Sequence, residues 1–182
     1  MALSRQKFRE VIFQMLYSYN VSRTQEDEVM ALLSKELSIE QPLMLEAQAR
    51  LHRIIEKQRE IDKMIGKASS SYEFDRIQSV ECNILRLGVF ELLFDSQIPP
   101  KVAITEAMRL ARKFGTPESA TFVNALLDNL YKASIGEQPD AEQLKRAAHS
   151  LTERENQAKQ YAQEQSVQNA VEEAESPFNA PD

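Results

Sequence analysis

Apolar side chains recur along most of this chain with the three-to-four-residue period of a helix. Phe8, Val11, Ile12, Met15, Leu16 and Tyr19 make one stripe, and Ser4 just before them suits the N-cap of a first helix. A second helix is expected from about Gln25 to Leu37. A third should run from near Pro42 to about Ile65, with Leu43, Ala47, Leu51, Ile54, Ile55, Ile61 and Ile65 facing a core. Gly66 to Ser71 reads as a loop. Ile77 to Phe94 is the most apolar stretch, and its Ile84, Leu85, Leu87, Val89, Leu92, Leu93 and Phe94 point in nearly every direction around a helix. Such a helix belongs at the centre of a bundle. Gly88 within it costs about 1 kcal/mol against alanine, so a neighbouring helix is expected to approach closely there.

Pro99-Pro100 punctuates the chain and opens the next helix, whose buried face is Ala103, Ala107, Leu110, Ala111 and Phe114. Gly115 suits the position just past its end. Thr116-Pro117-Glu118 then supplies an N-cap, a proline at the first helical position and an acid in the first turn. Phe122, Val123, Leu126, Leu127 and Leu130 are the apolar positions that follow. Six or seven helices with short connections predict an all-α compact bundle over residues 1–134. From about Ile135 the chain turns rich in Gln, Glu and Ala, and residues 135–182 are expected to be a largely disordered acidic tail. A transient or docked helix around Asp140 to Glu155 is the alternative. The end, Ser176 to Asp182, holds Pro177 and Pro181 and should be mobile.

Composition narrows the class. Of 182 residues 42% are hydrophobic, enough for one core, while 4 glycines and no tryptophan agree with a helical fold. Cys82 is the single cysteine, so no intramolecular disulfide forms. No apolar leader stands at the N-terminus and no apolar run approaches the ~18 residues of a membrane span, so a soluble, cytoplasmic protein without membrane attachment is expected. A net charge of −6 opposes nucleic-acid binding when taken as a total, but its distribution does not. Residues 1–134 hold 18 acidic and 18 basic side chains, and the whole excess, 10 acidic against 4 basic, sits in the tail. A neutral body can carry a basic patch.

Signatures of catalysis are missing. There is no glycine-rich phosphate loop, and His52, His149 and Cys82 have no metal-ligand spacing. Cys82, among apolar residues of the central helix, reads as a buried inert thiol. A non-enzymatic protein without cofactor or metal is therefore expected. The first helix says more. With Phe8 at zero and 100° per residue, Arg5 and Arg9 fall at about 60° and 100°, Phe13 at about 140° and Tyr17 at about 180°. Two aromatic residues thus lie off the core stripe beside two arginines, with Lys7 near the same end. Cations that hold phosphates and rings that stack on unpaired bases make a workable single-stranded RNA surface. The same spacing also suits Phe13 and Tyr17 packing against other helices.

Longer runs of residues carry a resemblance. Val102-Ala103-Ile104-Thr105-Glu106-Ala107, Leu110-Ala111-Arg112-Lys113-Phe114-Gly115, Phe122-Val123-Asn124 and Leu127-Asp128 resemble the C-terminal signature of the NusB family. Arg9-Glu10, Gln14 and Leu16-Tyr17-Ser18 resemble its first helix. Leu85-Arg86, Glu91-Leu92 and Pro99-Pro100-Lys101-Val102 resemble its central helix and the turn after it. The likeness spans about residues 5–133, is weak from Val21 to Tyr72, and does not extend to the tail. It implies two small helical bundles packed together. It implies a transcription antitermination factor that pairs with the tenth protein of the small ribosomal subunit. The pair would bind boxA, a short single-stranded element of ribosomal RNA leaders, and help an antitermination complex assemble on RNA polymerase.

The family's arginine-rich N-terminal motif falls on Arg5, Gln6, Lys7 and Arg9, where Gln6 departs from the usual basic residue. Lys101, Phe114, Glu118 and Phe122 match positions along or near the RNA track, and Phe13 joins them from the helix geometry. Tyr17, Asp75 and Glu81 match positions near the protein partner. Other roles compete: a core place for Phe114 and Phe122, a helix-start role for Glu81 and for Glu118, and a structural ion pair for Glu91. Arg86 is uncommitted. Two other functions stay open, a protein-interaction module without RNA binding and a regulatory domain related to RNA methyltransferases, to which such domains also occur fused.

Overall fold

The computed structural model describes residues 4–22, 25–69 and 74–175, with side chains as far as 169. Among the described residues there are seven α-helices: α1 (Arg5–Tyr17), α2 (Glu26–Leu37), α3 (Gln41–Ala68), α4 (Ser79–Leu93), α5 (Pro100–Phe114), α6 (Pro117–Ser134) and α7 (Ala141–Glu175). The first three form one group, α4 to α6 form a second, and α4 touches α1, α3, α5 and α6. Its central place follows from its sequence, because eleven of its fifteen residues are buried, including Ile84, Leu85, Val89 and Phe90. Neighbouring helices come close at Gly88. A Cβ there would stand 2.9 Å from Leu127 Cδ1 and 3.3 Å from Ala107 Cβ, which is the close approach its place in an apolar helix predicts.

Helix ends follow the local chemistry. Ser4 accepts from the Lys7 amide at 3.2 Å and starts α1. Thr116 and Ser119 bond reciprocally, backbone to hydroxyl, in a capping box that starts α6 with Pro117 in its first turn. Gly115 ends α5, but not through a left-handed backbone: a Cβ there would meet Ser119 Oγ at 2.8 Å and the Ala111 carbonyl at 2.9 Å. Close packing against the capping box is what requires glycine.

Three expectations change. Tyr19 leaves the core stripe and is 47% exposed, because Ser18–Ser22 form a π-helical turn that shifts the period after Tyr17. Asn20 turns inward instead, donating to the Leu16 carbonyl and to Asn83, both at 2.9 Å. Helix α3 continues through Gly66 to Ala68, so the expected loop starts later; its Ser70 and Ser71 lie outside the described residues. The tail is also helical, in α7. Leu144, Ala147, Ala148 and Leu151, spaced as one helical face, are buried where α7 packs on α6. Asn129 fixes the connection by accepting from the Asp140 amide at 2.7 Å and donating to its carbonyl at 3.1 Å. Small side chains make this stripe inconspicuous in a stretch dominated by Gln and Glu. Residues 176–182, with the two prolines, lie outside the described residues.

Candidate RNA and partner surface

Arg5, Gln6 and Lys7 occupy the exposed first turn of α1, where unpaired helix amides add partial positive charge. Arg9, one turn further, does not join them at the surface. It is buried, and its Nε donates to both Glu91 oxygens at 3.0 and 2.9 Å. Arg50 of α3 adds a second cation to Glu91 at 3.5 Å. Burial pushes the Glu91 carboxyl above the ordinary glutamate range, against the pull of Arg9 and Arg50. The role of Glu91 as an ion-pair member therefore holds, whereas Arg9 is spent on the pair and is not presented to a ligand.

Beside this pair, α1 and α5 meet along a charged seam. Arg109 reaches Glu10 at 2.7 Å and Glu106 at 3.0 Å, and donates to the Gln6 carbonyl at 3.0 Å. Lys113 reaches the other Glu10 oxygen at 2.7 Å, and Lys7 approaches it at 3.4 Å. Burial raises the proton affinity of Glu10, but Lys113, Arg109 and Lys7 outweigh it and hold this carboxyl below its ordinary value. The contacts of Glu10 with Arg109 and Lys113 join residues 99 and 103 positions apart, so nothing local in the sequence announces them.

The seam leads to an apolar cleft. The Phe13 and Phe114 rings lie 4.7 Å apart, tilted by 40°, and the Lys113 ammonium stands 5.6 Å from the Phe114 ring. Phe13, Tyr17, Leu32, Leu33, Val80 and Phe114 are among the side chains that line a cavity of about 530 Å³ between α1, α2, α4 and α5. Phe114 and Tyr17 are half-buried at its wall, but Phe13 is only 3% exposed. The turn to α6 that follows Phe114 puts Glu118 nearby, half-buried with Oε2 lacking a hydrogen-bond partner among the described residues. Leu32 at 58% exposed adds an apolar rim.

The remaining positions divide. Phe122 has no exposed surface and is a core residue of α6. Lys101 is exposed but sits in the first turn of α5, about 20 Å along the axis from Phe114. Glu81 is buried and accepts from the Ser119 hydroxyl, which ties α4 to the capping box of α6. It is thus an internal strut and not a contact residue, as its helix-start alternative allows. Asp75 is exposed on the rim of a polar cleft of about 500 Å³ that Gln78, Ser79 and, from α7, Thr152, Glu155 and Lys159 also line. Val80 lines the apolar cleft and Ser79 the polar one, so the clefts that hold Tyr17 and Asp75 both border the first turn of α4. Arg86, two turns further along α4, grips Asp62 with two bonds of 2.8 and 2.9 Å. Cys82 is buried, and burial pushes its thiol up to about 11.

Comparison with known proteins identifies the family. The sequence model of the NusB family matches residues 6–132. The transcription antitermination protein NusB of Chlamydia pneumoniae is 36% identical over 130 residues, which are 71% of this chain and 81% of that protein. The protein of the same name from Lachnoclostridium phytofermentans is 37% identical over 127 residues, 69% of this chain and 96% of its own. Among solved structures, T. maritima NusB aligns with a TM-score of 0.63 at 28% identity, covering 80% of this chain and 99% of that one. A crystal structure of the antitermination factors NusB and NusE in complex with double-stranded RNA aligns with a TM-score of 0.62 at 28% identity, covering 71% of this chain and 96% of its counterpart.

Proposed function

The chain belongs to the NusB family, and on that premise we propose that it is a transcription antitermination factor, one that binds single-stranded boxA-type RNA jointly with the tenth protein of the small ribosomal subunit and supports assembly of the antitermination complex on RNA polymerase. The observation that carries this reading is the family match over residues 6–132 together with an exposed cationic start of α1 that leads to an aromatic-lipped cleft. Relatives of the same name are transcription antitermination proteins, and one neighbouring structure holds a NusB bound to NusE and RNA.

In this reading Arg5 and Lys7 contact phosphates, Phe114 offers a ring to a base at the cleft wall, and Glu118 and Lys101 border the strand at either end of α5. Tyr17, with the apolar cleft, and Asp75, beside the first turn of α4, receive the protein partner. Arg9, Phe13, Glu81 and Phe122 act from beneath by holding α1, α4, α5 and α6 in place. The protein performs no reaction of its own, needs no cofactor or metal, and works in the cytoplasm. Weak affinity for RNA alone and tighter binding with the partner follow from a cationic patch of only a few charges.

Gel-shift titration of boxA-type RNA with and without the ribosomal protein, at two salt concentrations, tests this. The pair should bind more tightly than the chain alone, and Arg5→Ala with Lys7→Ala should weaken binding and flatten its salt dependence. If the pair left the RNA unshifted, the assignment would fall. If the double variant kept both affinity and slope, the patch at α1 would be the wrong one.

A further inference from the structure

Three cations from two helices converge on one carboxylate. Lys7 approaches Glu10 at 3.4 Å along α1, while Arg109 and Lys113 reach it from α5 at 2.7 Å each. The cations lie above and the acids below: the side chains of Lys113, Lys7 and Arg109 are 47%, 36% and 26% exposed, and that of Glu10 is 7% exposed. Counting the neighbours, Lys7, Arg9, Arg109 and Lys113 meet Glu10, Glu91 and Glu106, and Arg50 with Asp95 cancels, which leaves one positive charge over. Arg5, exposed in the first turn of α1, adds another. An approaching anion therefore meets excess positive charge on the outer layer before it meets any acid.

We propose that the Lys7–Arg109–Lys113 cluster is a binding site for a backbone phosphate of single-stranded RNA, in which α5 supplies the cation that Gln6 withholds from α1. The inference rests on the RNA-binding reading above and adds residues to it. Arg109 Nη2 lies 3.0 Å from the Gln6 carbonyl, so its guanidinium rests against α1 at the residue where the basic side chain is missing. The Gln6 side chain itself is turned aside toward Glu106 at 3.4 Å. The charge absent from the motif in sequence is thus restored in space. Glu10 is the positioning residue. Ionised and buried, it gathers three long side chains that would otherwise spread over many rotamers. A phosphate oxygen can then accept from the Lys113 ammonium and the Arg109 fork together. Lys113 also stands beside the Phe114 ring, so the phosphate site adjoins a surface on which the next base can stack.

The test is a salt series of RNA binding by the full chain, read as fluorescence anisotropy of a labelled short single-stranded RNA. Each lost phosphate contact flattens the log–log slope by about 0.7. Arg109→Gln with Lys113→Gln should lower affinity at least several-fold and flatten the slope by about 1.4. Lys63→Gln, an exposed lysine on α3, should change neither. Adding Gln6→Arg to the double variant should restore part of the slope. Because Arg109 also holds Glu106, the single Lys113→Gln keeps the question open to measurement if the double variant unfolds, with a slope change of about 0.7. If these variants kept the parental slope while Arg5→Ala with Lys7→Ala lost it, the α5 site would be refuted and the RNA-binding reading would stand. If the parent chain bound no RNA under any salt, both would fall.

Discussion

Arg9 and Glu91 meet inside the protein although 82 residues separate them in sequence, with Nε 2.9 and 3.0 Å from the two carboxylate oxygens. The side chains are 9% and 3% exposed, so water screens little of the interaction. The pair joins α1 to α4 and, through Arg50, to α3. A residue that the sequence pattern assigns to a nucleic-acid surface is in this chain part of the frame.

Arg9→Ala would leave the Glu91 charge buried with only the more distant Arg50. Breaking a buried pair from one side costs about 3–5 kcal/mol. Chemical denaturation should show a loss of that order, while Arg5→Ala, at an exposed position, should stay within about 0.5 kcal/mol of the parent. RNA affinity should respond in the opposite order, Arg5→Ala weakening it and Arg9→Ala acting only through the unfolded fraction.

The acid limb of stability should depend on Glu10. Its carboxyl is held below the ordinary 4.5 in the folded chain, so its contribution is fully present above that value and is lost as the pH falls through the lower folded value. Glu91 works in the opposite sense, since its carboxyl is raised: it favours the fold at low pH and loses that contribution as the pH climbs past 4.5. Glu10→Gln should therefore flatten the fall in stability on the acid side of 4.5. Denaturation midpoints compared between pH 6 and pH 3 would show it, and an unchanged fall would remove Glu10 from the account.

Gly115→Ala should be costly for a steric reason. The new Cβ would sit 2.9 Å from the Ala111 carbonyl and 2.8 Å from Ser119 Oγ, so backbone or capping box must shift. Overpacking and a disturbed cap together suggest about 2 kcal/mol, or some 4–8 °C in Tm for a chain of this size. Gly88→Ala should cost less, because Leu127 Cδ1 can rotate away and alanine gains in helix propensity.

The Phe13 and Phe114 rings separate structure from binding. Phe13→Ala empties a buried site and should lose about 3–5 kcal/mol of stability. Phe114→Ala, at the half-buried wall of the cleft, should cost less stability yet weaken RNA binding by about 1–3 kcal/mol, the worth of one stacked base. Equal losses of affinity in the two variants, once corrected for folding, would contradict this division.

Much of the frame could be read from residues in order. Ser4 and the Thr116-Pro117 pair mark helix starts through side-chain oxygens and a fixed proline angle, both local causes. Gly88 in an otherwise apolar helix announces the close contact with Leu127 and Ala107. What escaped depends on distant partners or on a change of period. Tyr19 was placed in the core by a 3.6-residue count that the π-helical turn interrupts. Arg9 looked exposed because its partner is a whole bundle away in sequence. The Arg109–Lys113–Glu10 cluster joins two helices that no spacing rule connects. In the tail, one face of two leucines and two alanines docks α7, a signal too small to stand out from its polar surroundings.

Past Leu151 that last helix runs on through Glu175, about 36 Å of polar cylinder at 1.5 Å per residue. Its buried stripe packs on α6 and Thr152, Glu155 and Lys159 still border the cleft beside Asp75, so the exposed stretch beyond Lys159 is the outrigger, with a bearing set by those contacts. A residue inserted in α7 beyond Lys159 would turn every side chain after it by roughly 100° about the helix axis and advance it by about 1.5 Å. Such an insertion would thus change which face of the tip meets a neighbour, without touching the body that carries the cationic seam.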